Sequence, residues 1–170
     1  MRIAEAIWPF DTETVVALFR EYSESIDADI CFQGFEQELA SLPGKYASPL
    51  GCVLLAYSED VLVGCAALRP LTEATCEMKR VYVRPNFRGL GWGRTLALAL
   101  IERAATAGYQ SMRLDTLATM VAAQKMYLSL GFKPSDSYYN NPLPGTIYME
   151  LENLARIREQ IRATNANDMT

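Results

Sequence analysis

Residues 88–95 place three glycines between two arginines where a strand-like run turns into an amphipathic helix: Arg88, Gly89, Leu90, Gly91, Trp92, Gly93, Arg94 and Thr95. That pattern is built to hold phosphate. Glycine lets the backbone take positive φ and come close to a ligand, and the first turn of the helix offers unpaired N–H groups at the positive end of its dipole. The two arginines add charge and forked hydrogen-bond donors for the same anion.

Two familiar phosphate motifs fit poorly. A P-loop needs GxxxxGK[ST], and no lysine follows these glycines. A dinucleotide-binding turn has in its favour the preceding strand, the following helix, and Asp115 at the end of the next strand-like run, where a ribose-binding acid would stand. Its glycines, however, would read GxGxxG, whereas here they read GxGxG, and the five residues from Arg84 to Arg88 are too long a lead for its tight turn.

A third motif fits throughout. Arg88, Gly91 and Gly93 match [RQ]-x-x-G-x-[GA], with Glu77 and the V-x-V pair Val81 and Val83 upstream, and Ala123, Tyr127 and Leu130-Gly131-Phe132 downstream. In this combination residues 50–152 resemble the GNAT superfamily of acyl-CoA-dependent N-acyltransferases, and the first 50 residues do so in outline. The resemblance implies that Arg88 to Thr95 cradle the pyrophosphate of acetyl-CoA (coenzyme A). It implies further that the backbone of Val81, Tyr82 and Val83 pairs with the peptide-like pantetheine arm, as an added strand would, and that Ala123 lies against the cofactor. Many family members carry asparagine three residues before that alanine. Here Met120 stands there, and a thioether cannot donate a hydrogen bond, so that contact is lost or taken over by Thr116 or Thr119.

Moving an acyl group from a thioester to an amine needs a proton acceptor for the amine and a proton for the departing thiolate. Glu77 sits in an apolar strand beside the turn, and a carboxylate partly withdrawn from water binds a proton more readily, as a general base requires. The resemblance implies that role; a surface salt bridge to Lys79 or Arg80 is the plain alternative. Tyr127 lies one turn before Gly131 on a helix whose Met126, Leu128 and Leu130 suffice to pack the core. The family uses a tyrosine here as the acid, and the alternative is a core tyrosine with a bonded hydroxyl. Val81 and Val83 would act through their backbones, or simply pair within the sheet.

These residues need a scaffold, and apolar periodicity supplies one. Strands are expected at 2–7, 51–57, 61–68, 75–83, 111–116 and 146–151, with a hairpin turn at Ser58-Glu59-Asp60. Helices are expected from Asp11 or Thr12 through Tyr22, over 35–42, from Gly93 to Ala107 with Leu96, Leu98, Leu100 and Ile101 apolar, and over 120–130; residues 26–32 read as a loop. The order βααβββαβαββ gives an α/β fold with a mixed, mostly antiparallel twisted sheet flanked by helices. Residues 1–152 form one acyltransferase domain, and 153–170 a terminal helix and tail.

Composition bounds the rest. The 170 residues are half hydrophobic, enough for one core, and the net charge of −4 argues against a nucleic-acid partner. No apolar run is long enough for a membrane span, and the opening residues are too short and acidic for a signal peptide. The four cysteines show no C-x-x-C spacing, which suits a reducing cytoplasm. The absence of histidine removes Ser-His, Cys-His and histidine-zinc mechanisms, and no metal site is expected. A covalent route through Cys76 is disfavoured, since alternation points it away from Glu77.

The resulting expectation is a cytoplasmic N-acetyltransferase acting by direct attack in a ternary complex on the primary amine of a small molecule or peptide. Phe32-Gln33, Leu42 to Tyr46, Arg69 and Tyr138 to Pro142 would wall the acceptor site, and suit an amino-acid-like acceptor with a carboxylate unless the tyrosine loop merely packs on itself. The alternative is a non-catalytic acyl-CoA sensor, which would keep the loop and need neither Glu77 nor Tyr127. A homodimer is compatible with either.

Overall fold

The computed structural model describes residues 1–26, 34–141 and 143–167. In chain order they form β1 (Arg2–Glu5), α1 (Thr12–Ser25), α2 (Phe35–Ala40), β2 (Cys52–Ser58), β3 (Val61–Pro70), β4 (Thr75–Val83), α3 (Trp92–Thr106), β5 (Ser111–Leu117), α4 (Val121–Ser129), β6 (Lys133–Pro134), β7 (Thr146–Glu152) and α5 (Leu154–Asn167). The expected order therefore holds, with α5 appended. The loop expected over 26–32, like Phe32-Gln33 and Pro142 of the acceptor wall, falls almost wholly outside the described residues. Asp11 stands at the N-cap of α1 but makes no side-chain cap; its Oδ2 instead accepts from the Ile7 amide at 2.7 Å.

One seven-stranded sheet runs β1-β2-β3-β4-β5-β7-β6. Every pairing is antiparallel except β4 with β5, which α3 joins as a crossover. The sheet is covered on both faces, and this is why its central strands read as continuous apolar runs. Cys52, Leu54, Ala56, Leu68, Cys76 and Met78 face α3, whose Trp92, Leu96, Ala97, Leu100, Ile101 and Ala104 are buried at helical spacing. Val53, Leu55, Cys65 and Ala67 face α1 and α2, packing on Val15, Leu18, Phe19, Phe35 and Leu39.

Two irregularities in β4 matter for function. First, it pairs with β5 only from Thr75↔Ser111 to Glu77↔Arg113, although β4 runs on to Val83 and β5 to Leu117. Secondly, Cys65 pairs with Tyr82 but Ala67 with Lys79, so two residues of β4, Arg80 and Val81, oppose one of β3, Ala66. Arg80 sits in this bulge at φ 54°, a left-handed conformation that is uncommon for a side-chain-bearing residue. The bulge inverts the alternation. Before it Cys76 and Met78 face α3; after it Val81 and Val83 do, while Lys79 and Arg80 both turn toward the α1 side. Gly64 makes the close approach beside the bulge possible, for a Cβ there would overlap the Tyr82 carbonyl.

Candidate active site

The place where β4 leaves β5 is a cleft of about 80 Å³, walled by Met78, Lys79 and Val81 on one side, by Asp115 and Thr116 on the other, and by Met120, Ala123, Met126 and Tyr127 below. A backbone edge that lacks a neighbouring strand must find other partners, and an extended, peptide-like ligand supplies them. Val81 and Val83 hold their side chains in the core on the α3 side, which leaves their backbones as what they can present to the cleft.

At the cleft's end the chain passes through a short turn, Pro85–Phe87, into the glycine segment. Gly89 and Gly91 have φ 78° and 85°, and a Cβ at either would meet nothing within 4 Å. Gly91 is the N-cap of α3 and no side chain caps that end, so the first-turn amides face open space. Trp92 is buried and anchors the turn, while Leu90 is exposed. Arg88 donates its Nε to the Val83 carbonyl at 3.0 Å, Arg94 its Nη1 to Ser129 Oγ at 2.7 Å, and Thr95 its hydroxyl to the Gly91 carbonyl at 3.2 Å. Both guanidiniums stay exposed at the rim.

Tyr127 is the buried residue of α4, at 6% exposure. Leu128, expected to share the packing, is 52% exposed, so the ring of Tyr127 is itself core, edge-on to Phe132 at 5.7 Å. Its hydroxyl nevertheless has no partner among the described residues. Burial raises its pKa above the usual phenol value, so the group stays protonated through neutral pH.

Glu77 is fully buried, deeper than a partly exposed strand carboxylate would be. Oε2 accepts from Arg69 Nε at 2.6 Å; Oε1 accepts from the Tyr138 hydroxyl at 2.8 Å and lies 3.4 Å from Lys79 Nζ. Lys79 reaches across the splay to Asp115 Oδ1 at 3.0 Å, and Tyr139 donates to Asp115 Oδ2 at 2.9 Å. Arg80 makes a two-pronged pair with Glu38 at 3.0 and 3.3 Å, and Arg69 Nη1 lies 3.6 Å from the same carboxylate. Three carboxylates and three cations thus balance over the α1 face of the sheet. The ion pair expected between Glu77 and Lys79 is present, but buried and extended to Arg69, while Arg80 goes to Glu38. The sequence marked Asp115 only through the poorly fitting dinucleotide motif, Lys79 only as an ion-pair partner of Glu77, and Tyr138 and Tyr139 only as acceptor wall; nothing in it joined the four. The alternation of β5, which puts Asp115 on the same face as Arg113, is the signal that could have found Asp115.

Thr116 donates to Met120 Sδ at 3.7 Å inside the cleft, and Thr119 is exposed. Cys76 is buried on the α3 side with its thiol pKa pushed up by burial, a poor nucleophile. Among the described residues no group of three or more acidic or cysteine side chains is arranged for a metal, and no helix is long and apolar enough to cross a membrane.

A splayed parallel pair, a glycine turn opening the crossover helix and a mostly antiparallel sheet together define an acyltransferase fold. Residues 12–132 match the model of the Acetyltransferase (GNAT) family, and the chain belongs to that family. It is 42% identical over 146 residues to an uncharacterised N-acetyltransferase of Schizosaccharomyces pombe, covering 85% of this chain and 90% of that one. It is 34% identical over 127 residues to human N-acetylaspartate synthetase, 74% of this chain and 41% of that protein. A Salmonella typhimurium structure solved with its cofactor acetyl-CoA shares the fold, with a TM-score of 0.69, 21% identity, and 89% and 92% of the two chains aligned.

Proposed function

We propose that this chain transfers the acetyl group of acetyl-CoA to the primary amine of a small, amino-acid-like acceptor by direct attack. The observation that carries the reading is the splay of β4 from β5, continuous with an uncapped helix start behind two positive-φ glycines. The residues fit an acyl-CoA: Gly89 and Gly91 leave room for a diphosphate against the α3 amides, Arg88 and Arg94 stand at its rim, and the Val81–Val83 backbone faces the cleft. Acetyl-CoA, when bound, supplies an activated thioester.

The chain's own groups handle the protons. Tyr127, protonated and without a partner among the described residues, is positioned to protonate the leaving sulfur. Glu77 is the proton acceptor, reached from the acceptor side through the Tyr138 hydroxyl or a water. One observation favours a second reading: Asp115, not Glu77, has its carboxylate in the cleft wall, so Asp115 takes the proton and Glu77 holds Lys79 and Arg69 in place. Relatives named N-acetylaspartate synthetase support an amino acid as acceptor.

Following thiol release from acetyl-CoA across a panel of amines tests the proposal. Release that depends on an added amino acid is expected. A chain that binds acetyl-CoA but releases no thiol, whichever amine is added, is a sensor, and the enzymatic reading is then wrong.

A further inference from the structure

Asp115 stands at the end of a hydrogen-bond chain whose direction is fixed by a backbone amide. The Leu143 N–H can only donate, and it donates to Asn141 Oδ1 at 2.9 Å. The other end of that side chain is therefore its NH2 group, and Asn141 Nδ2 donates to the Tyr139 oxygen at 2.9 Å. A phenol that accepts there still has one hydrogen to give, and Tyr139 gives it to Asp115 Oδ2 at 2.9 Å. Oδ1 of the same carboxylate accepts from Lys79 Nζ at 3.0 Å. Each link in such a chain polarises the next. Tyr139 is also held by shape: its ring packs on those of Tyr138 and Tyr148 at 5.3 and 5.8 Å, and the Tyr148 hydroxyl donates to the Tyr139 carbonyl at 3.3 Å. Tyr148 is the register partner of Asp115 on β7, so the strand beside Asp115 carries the brace for the tyrosine that bonds it.

The two carboxylates differ in what such bonds can do for them. The Glu77 side chain is sealed, at 0% exposure, with Arg69 on one oxygen and Tyr138 and Lys79 on the other. The Asp115 side chain keeps 11% exposure and walls the cleft, where an amine must arrive. One donor on each oxygen fixes the plane of the Asp115 carboxylate at two points and leaves each oxygen a lone pair. Resting on the second of the two proton-acceptor readings above, we infer that Tyr139, oriented by Asn141, is the positioning residue that aims Asp115 at the ammonium of the acceptor. Asp115 takes one proton from the nitrogen, and the second proton the nitrogen loses replaces the one that Tyr127 gives to the sulfur.

The neighbours of Asp115 are mostly phenols. Tyr22 of α1, Tyr127 of α4, Tyr148 of β7, and Tyr138 and Tyr139 of the loop before β7 are all kept protonated at neutral pH by burial. The charged neighbours are Lys79, Glu77 beyond it, and Arg80, which is paired with Glu38. Tyr139→Phe therefore removes one donor and no charge, and its ring contacts survive. A carboxylate that loses a donor holds its proton more tightly, so the acid limb of kcat/KM moves to higher pH by about one unit, and kcat falls with KM for acetyl-CoA unchanged. Asn141→Asp repeats the test without touching the tyrosine. It keeps an oxygen for the Leu143 amide, removes the donor to Tyr139 and lets that phenol turn its hydrogen away from Asp115. The limb moves the same way, and in the Tyr139→Phe background Asn141→Asp adds less than it does alone.

An acid limb that stays in place in Tyr139→Phe overturns the inference, as does one that moves only in Tyr138→Phe, which gives the proton to Glu77. An undiminished effect of Asn141→Asp in the double variant means that Asn141 acts by charge and not through Tyr139, and overturns the chain. If no amine is acetylated, the enzymatic reading falls by itself, and a carbon-13 NMR titration of Asp115 decides the rest. A titration that moves upward in Tyr139→Phe sustains the hold of Tyr139 on the carboxylate, and one that does not move overturns it.

Discussion

Tyr127 combines two duties that a single substitution separates by magnitude. Tyr127→Phe keeps the ring on Phe132, and because the hydroxyl has no partner among the described residues its removal should move the melting temperature by no more than a few degrees. Turnover should fall roughly 10-fold to 10²-fold if the phenol protonates the leaving sulfur; a variant with full turnover removes that assignment. The two candidate bases are told apart by pH profile. The substitution, Glu77→Gln or Asp115→Asn, that abolishes the acid limb of kcat/KM identifies the proton acceptor, with a rate loss of roughly 10²-fold. Each should also cost stability, about 3 kcal/mol, because a buried cation loses its counter-charge: Arg69 and Lys79 beside Glu77, Lys79 beside Asp115. If neither variant alters the profile, the acceptor arrives deprotonated or another group takes its proton.

At the scale of elements, the bulge in β4 and the turn before α3 set the cleft. Gly64→Ala should destabilise by about 1–3 kcal/mol, since the new methyl meets the Tyr82 carbonyl and must push β3 from the bulge; thermal melts showing wild-type stability would mean the strands give way freely. Gly91→Val should abolish CoA binding by filling the open space above the α3 amides, and it carries a local cost as well, because φ 85° suits no β-branched residue. Calorimetry showing wild-type CoA affinity in a folded Gly91→Val protein would contradict the phosphate site. The element order and the glycine turn were legible because periodicity and turn chemistry are local: α3 announces itself by Leu96, Leu100 and Ile101, and β4 by its nine-residue run. The ion network was not, since Lys79 meets Asp115 across 36 residues only after β4 and β5 take their register. Nor was the bulge, because Arg80 in a left-handed conformation goes against residue preference and is held by Glu38, 42 residues away. Leu128 misled for the same reason: α4 is docked by Tyr127, and its period alone does not fix its rotation.

For the molecule as a whole, packing on both faces of the sheet buries several phenols whose ordinary pKa is near 10. Tyr46, Tyr127, Tyr138 and Tyr139 are all pushed higher, by burial first and, for Tyr138, by Glu77 next. In the unfolded chain these phenols ionise near pH 10 while the folded chain keeps their protons, so above that pH the unfolded state binds fewer protons and stability must fall as pH rises. Melting temperatures should therefore drop steeply above about pH 10, and a flat curve there would mean the tyrosine sites admit water. The central claim, that the splay delivers an acetyl group directly to an amine, is tested most directly by initial rates measured with acetyl-CoA and an amino-acid acceptor varied together. Amine-dependent rates with reciprocal plots that intersect are the predicted result, and parallel plots, or thiol release indifferent to the amine, would contradict it.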